Sequence, residues 1–159
     1  MPSLPYQPYR TAVAPEWVDY NGHMNVAYYV LAFDYATDRL LDYLGLGEAY
    51  RRSTNHSIFA LEAHVTYLRE LRQADPFAVG TRLIDADRKR LHLFHTMIKD
   101  GTGGEPAATI EAMALHVDLA GPSAAPMPDD AFAKVEALLA EHRRLPDPPQ
   151  LGHRIAIRR

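Results

Sequence analysis

The chain reads as an α+β fold: a curved five-stranded antiparallel sheet wrapped around one long helix, with a second helix after the sheet. Three observations predict it. Positions 26, 29, 30, 33, 36, 40, 41 and 44 are apolar, the period of a helix. Four strand-like runs then follow one another over 56–70, 77–87, 91–99 and 107–119. Long strands in succession, joined by a charged corner at Asp87-Arg88-Lys89-Arg90 and a glycine turn at 100–104, favour antiparallel pairing. The economical way to bury one apolar helix and such a sheet is to lay one on the other.

Each element has its own signal. A short first strand over 9–14 stops at Pro15. The helix starts at about Val26 and is ended by Gly45 and Gly47. Asp34, Asp38, Arg39 and Asp42 lie on its other face, so its later turns are partly wet. In the run 56–70, alternation puts Phe59, Leu61, Ala63, Val65 and Tyr67 on one face. Ala60, Glu62, His64 and Thr66 fall on the other. Pro128-Asp129-Asp130 opens an amphipathic helix, about 129–144, with Phe132, Val135, Leu138 and Leu139 on one side. The tail, 146–159, is Pro-rich and then basic. With no internal repeat and no interdomain linker, a single domain over 1–159 is expected, its core about 9–119.

Composition narrows the function. Apolar residues are 47% of 159, enough for a core, and the net charge of −3 argues against electrostatic nucleic-acid binding. No apolar run is long enough for a transmembrane helix. The amino-terminal run, M-P-S-L-P-Y-Q-P-Y-R, lacks the basic flank and apolar core of a signal peptide. The absence of Cys excludes disulfides, thiol nucleophiles and thiolate metal sites, and makes the cytoplasm the expected compartment.

The richest stretch is E-W-V-D-Y-N-G-H-M-N-V-A-Y-Y, residues 16–29. One acid, Asp19, sits in a polar loop directly before the long helix. A helix start leaves N–H groups unpaired and carries partial positive charge. N–H groups around Val26, Ala27 and Tyr28 can polarise a carbonyl while Asp19 attacks it or activates water. An Asp before a helix also commonly just caps or turns the chain. Here Asn21, His23 and Asn25 supply more polar groups than one cap requires. None of the four serines lies in a G-x-S-x-G nucleophile elbow. His23 is either an acid–base partner or the residue that orients the loop. Asn25 is a helix N-cap, a water-positioning group, or both.

The element order and the loop D-Y-N-G-H-M-N resemble the hotdog fold, and within it the 4-hydroxybenzoyl-CoA thioesterase-like family. In that family the loop aspartate, followed by Gly-His and an Asn before the helix, is catalytic. Asp19, Gly22, His23 and Asn25 match it. The blocks W-V-D-Y-N-G-H-M-N, K-R-L-H-L-F-H-T and A-M-A-L-H-V-D are also similar to betainyl-CoA thioesterases of carnitine breakdown. The resemblance implies hydrolysis of a small acyl-CoA, with coenzyme A part of the substrate and no further cofactor. It also implies sites between the subunits of a homodimer or tetramer. A general short-chain or aromatic acyl-CoA thioesterase and a non-catalytic acyl-CoA-binding module are the alternatives.

The remaining candidates follow from that frame. Trp17 and Tyr20 flank Asp19, and aromatic faces attract a trimethylammonium group. Glu62, mid-strand, is either solvent-facing or turned toward the site, where it would bind water, orient the loop or face a cation. Arg88, Lys89 and Arg90 form an ordinary solvated corner or, in this family, one that meets the phosphates of coenzyme A. His92 and His95 fall on opposite faces of a strand and cannot chelate one ion, so no metal site is expected. The 56–70 run carries little Lys and no Pro, so it is undefended as a free edge and is expected near a dimer seam.

Overall fold

The long helix starts where the chain supplies its cap. The Asn25 side-chain oxygen accepts from the Ala27 N–H at 3.0 Å, opening α1 (Val26–Leu44). Gly45 ends it in the left-handed region at φ 75°, a conformation that favours glycine. Tyr29, Ala32, Phe33, Ala36, Leu40, Leu41 and Leu44 make its buried stripe. Each large side chain buried there is worth roughly 1.5–3 kcal/mol of transfer free energy.

This computed structural model describes residues 9–159, so the first eight residues of the amino-terminal run lie outside it. β1 (Tyr9–Ala12) and a 3-10 turn at Pro15–Trp17 precede α1. After it come α2 (Glu48–Thr54), β2 (His56–Tyr67), β3 (Pro76–Ala86), β4 (Arg90–Lys99), β5 (Pro106–Asp118), β6 (Ser123–Ala124) and α3 (Asp129–His142). The sheet runs β1-β3-β4-β5-β2, all antiparallel, with the two-residue β6 beside β5. The sequence reading did not anticipate α2, a two-turn helix closed by Asn55 at φ 56° and too short to show a period.

Two adjoining clusters form the core. The first half of α1 packs Tyr29, Phe33 and Ala36 against Phe77, Val79, Met97 and Ile110. Its second half packs Leu40, Leu41 and Leu44 with Leu83, Leu91 and Leu93 and with Val135, Leu138 and Leu139 of α3. α3 therefore extends the helical layer on the same face of the sheet. His95 points into this layer, fully buried. Its Nε2 lies 2.8 Å from the Thr37 hydroxyl and its Nδ1 2.7 Å from that of Thr81. Burial pushes its pKa down to about 3, so it is neutral.

One expectation about β2 needs correction. Its pairing with β5 slips between Ala60 and Glu62, a bulge at Leu61. An inserted residue reverses the alternation beyond it. Ala60 and Ala63 thus both face α1, whereas Phe59, Glu62 and His64 face the outer side, opposite Leu115, Met113 and Glu111. Among the described residues no helix is long and apolar enough to cross a membrane.

Candidate active site

The loop before α1 is a small closed hairpin. Val18 and Met24 bridge each other, and the Asp19 N–H donates to the His23 carbonyl at 3.0 Å. The turn is made by Gly22 at φ 81°. The Asn25 N–H donates to the Trp17 carbonyl at 2.9 Å, and the Met24 N–H to Leu71 at 2.7 Å. These bonds hold Asp19 beside the start of α1. Its Oδ1 accepts from the Asn21 N–H at 2.8 Å, and its Oδ2 has no hydrogen-bond partner among the described residues. One carboxylate oxygen is thus pinned and the other is available.

The helix start is less open than its sequence suggests. Asn25 takes the Ala27 N–H with its side chain and the Tyr28 N–H with its carbonyl, at 3.0 Å each. Of the three N–H groups expected to polarise a carbonyl, Val26 alone has no acceptor among the described residues. His23 is tied to Glu70, Nε2 to Oε2 at 3.0 Å, and its backbone bridges Arg72. That geometry fits an orienting group. The Tyr67 hydroxyl donates to the Val26 carbonyl at 3.2 Å and brings the end of β2 to the same place.

The aromatic residues of the loop do not form a cage within one subunit. Trp17 stacks on Tyr28, centroids 5.7 Å apart and planes 14° apart, and packs on the core. Tyr20 is 97% exposed. Glu62 faces the outer side of the sheet, away from α1, because of the bulge. Arg88 pairs with Asp129 at 2.6 Å and lies 4.6 Å over the Phe132 ring; Arg90 pairs with Asp87, Nε to Oδ2 at 2.8 Å. That partnership holds the Asp87 pKa down at about 2. Lys89 makes no ion pair among the described residues. This corner stands at the opposite end of the sheet from Asp19, ~30 Å along β4 at a strand's rise per residue.

A feature missed in the sequence adjoins the loop. One turn past Val26 a cleft of about 190 Å³ opens between α1 and the sheet, with Val30, Phe33 and Thr37 on one wall and Ala60, Ala63 and Ala112 among the residues opposite. Asp34 and Asp38 stand on its helical wall, and neither has a cationic partner among the described residues. Burial, then Asp34, Asp42 and Glu48 nearby, raise the Asp38 pKa. The i, i+4 spacing of these acids beside the apolar stripe is the available signal, and in the sequence alone it marks no more than a wet face. No group of three His, Asp or Glu among the described residues is arranged to hold a metal ion.

Residues 13–135 match the Thioesterase-like superfamily. The chain belongs to that superfamily. It is 45% identical to a betainyl-CoA thioesterase of Pseudomonas aeruginosa over 94% of this chain and 93% of that protein. It is 34% identical to an L-carnitine dehydrogenase/betainyl-CoA thioesterase of Rhizobium meliloti, covering 94% of this chain and 30% of that longer protein. A hypothetical protein from Staphylococcus aureus, solved in complex with CoA, superposes with a TM-score of 0.89 at 31% identity, over 99% of this chain and 100% of that one. The superfamily's hotdog arrangement is the fold observed: the antiparallel sheet curls over α1, and the Asp19 loop sits at the helix start.

Proposed function

We propose that this chain, an acyl-CoA thioesterase by family and by its relatives, hydrolyses betainyl-CoA to glycine betaine and free coenzyme A in carnitine breakdown. The observation that carries the substrate is the 45% identity to a betainyl-CoA thioesterase over nearly the whole of both chains. The cleft supports it independently. A trimethylammonium group beside the thioester carbonyl sits at the mouth of this cleft, where Val30 offers its methyls an apolar wall and Asp34, ~12 Å along α1 at the helical rise, attracts its charge at long range.

In this reading the Val26 N–H and the helix dipole receive the charge that develops on the carbonyl oxygen. Asp19 Oδ2 takes a proton from water as the water adds, or adds to the carbonyl itself and forms an anhydride that water opens. The leaving thiolate, with a pKa near ~8.5 by analogy with Cys, departs without a strong general acid. Single-turnover hydrolysis in oxygen-18 water separates the routes: label in the enzyme's carboxylate reports the anhydride.

The working unit is a dimer paired along β2, and the cytoplasm is where it acts. β2 is an edge of the sheet, with Phe59 and Leu61 44% and 56% exposed. A two-fold axis at the middle of β2 sets the Arg88-Lys89-Arg90 end of one copy against the Asp19 end of the other. That arrangement supports the corner's role with the phosphates of a CoA bound at the other copy's site. The test is a comparison of kcat/KM for betainyl-CoA and for 3,3-dimethylbutyryl-CoA, its uncharged analogue. Preference for the charged substrate is expected; preference for the neutral one makes this a general short-chain acyl-CoA thioesterase.

A further inference from the structure

The carboxy-terminal segment follows a path that packing within one subunit leaves unfinished. After α3, His142 accepts the Leu83 N–H with its Nδ1 at 2.9 Å, on the stretch of β3 beyond its pairing with β1. The chain then turns onto the outer face. The Arg82 guanidinium donates to the carbonyls of Leu145 and Pro146 and to the Asp147 carboxylate. Farther on, the Gly152 N–H donates to Glu111 Oε2 at 2.7 Å, and the His153 ring stacks on His64 at 5.7 Å. Arg82, Phe94, Glu111 and His64 are register partners in turn across β3, β4, β5 and β2. The segment therefore crosses the sheet along one row and reaches the free edge at His153.

Residues 154–159, R-I-A-I-R-R, continue past that edge. Ile155 and Ile157 are 86% and 83% exposed, so they do not pack on their own subunit. In an extended chain these two side chains share one face, while Arg154 and Arg158 take the other. Six extended residues reach ~20 Å, about four strand spacings. That is more than enough to cross a neighbouring β2 and β5.

We infer that residues 154–159 form an arm that docks on the outer face of a second copy of this chain, across its Phe59 and Leu115. The inference rests on the β2 seam proposed above. With strands paired antiparallel about the middle of β2, His64 of one copy faces Phe59 of the other. The row followed by the tail then continues onto the second copy's Phe59 and, next to it in register, Leu115. Phe59 is itself 44% exposed on that outer face. Glu62, the next outer-facing residue beyond the bulge, stands beside it as a partner for the arm's arginines. One contact thus covers three exposed large apolar side chains, and symmetry makes it twice.

The chain has no cysteine, so introduced cysteines are the only thiols. Chains carrying Phe59→Cys and Ile157→Cys, with different affinity tags, are co-expressed and treated with a short dithiol cross-linker. A product carrying both tags is expected. Pairing Ile157→Cys with Ala133→Cys, exposed on α3, is expected to give none. Ending the chain after His153 is expected to weaken the dimer by ~10-fold or more, read by sedimentation on dilution. Leu61→Cys reports the seam separately by cross-linking to itself. If Leu61 cross-links but Phe59 and Ile157 do not, the arm is wrong and the seam stands. If neither does, the seam is wrong and the arm falls with it.

Discussion

Asp19 is held so that one carboxylate oxygen turns the loop and the other is free, and this division gives the first expectation. Asp19→Asn keeps the hydrogen bond from Asn21 and removes the base, so thiol release should fall by ~10²-fold or more with the fold retained. Near-normal turnover by that variant excludes Asp19 as the catalytic group. Asp34→Asn should lower kcat/KM for betainyl-CoA by about 2-fold, the worth of a screened charge ~10 Å away, and leave the neutral analogue unchanged. An equal loss on both substrates means that Asp34 acts on the fold. His95 is a main source of pH dependence in stability. Its pKa falls from 6.5 in the unfolded chain to about 3 when buried, so the unfolded state binds the proton more readily. The stabilisation is full above pH 6.5 and is lost as pH falls toward 3, at ~1.4 kcal/mol per unit. His116 and His142 are shifted down as well, both chiefly by burial. Urea unfolding between pH 7.5 and 5.5 should show this loss, and His95→Gln should reduce it, leaving the part that belongs to His116 and His142.

At the scale of elements, the start of α1 is at once a structural joint and the edge of the site. Asn25 occupies two of the first N–H groups, which leaves Val26 as the N–H available for the role proposed above. Asn25→Ala should destabilise the protein by ~1 kcal/mol through the lost cap, measured by urea unfolding. α1 itself was legible because an apolar stripe running the length of nineteen residues, with a capping Asn and a terminal Gly, admits little else. β2 was legible as a strand but not in its facing. The bulge at Leu61 flips every side chain after it, and an insertion of one residue in pairing leaves no trace in an alternating pattern. That slip decides between the two positions open to Glu62 in the sequence and puts it on the outer face.

At the scale of the whole molecule, several exposed apolar residues lie on or next to the β2 edge. Phe59 and Leu61 lie on the β2 edge, Val26 and Val30 on α1 beside the cleft, and Ile155 and Ile157 on the departing tail. Their exposure in a single chain is the physical argument for a partner. Light scattering at micromolar concentration should report a dimer or a tetramer, and a fully active monomer contradicts the two-copy site. The proposed two-fold pairing would also bridge the distance between the Arg88–Arg90 corner and Asp19. Within one chain they are at opposite ends of the sheet, whereas antiparallel pairing of two β2 edges brings the corner of one copy toward the loop of the other.

The sequence alone determined what depends on local pattern: the helix from Val26 to Leu44, the strands that follow, the Asp19 loop and the family to which those blocks belong. Periodicity, caps and turn residues are local, and each leaves its mark within a few positions. Tertiary structure decided which of those residues meet. It stacked Trp17 on Tyr28, left Tyr20 exposed, put Glu62 on the outer face and Asp34 and Asp38 on a cleft one turn past Val26, and carried the tail to the sheet's free edge. Such outcomes follow from strand register and from contacts between residues far apart in the chain, which composition and spacing do not encode.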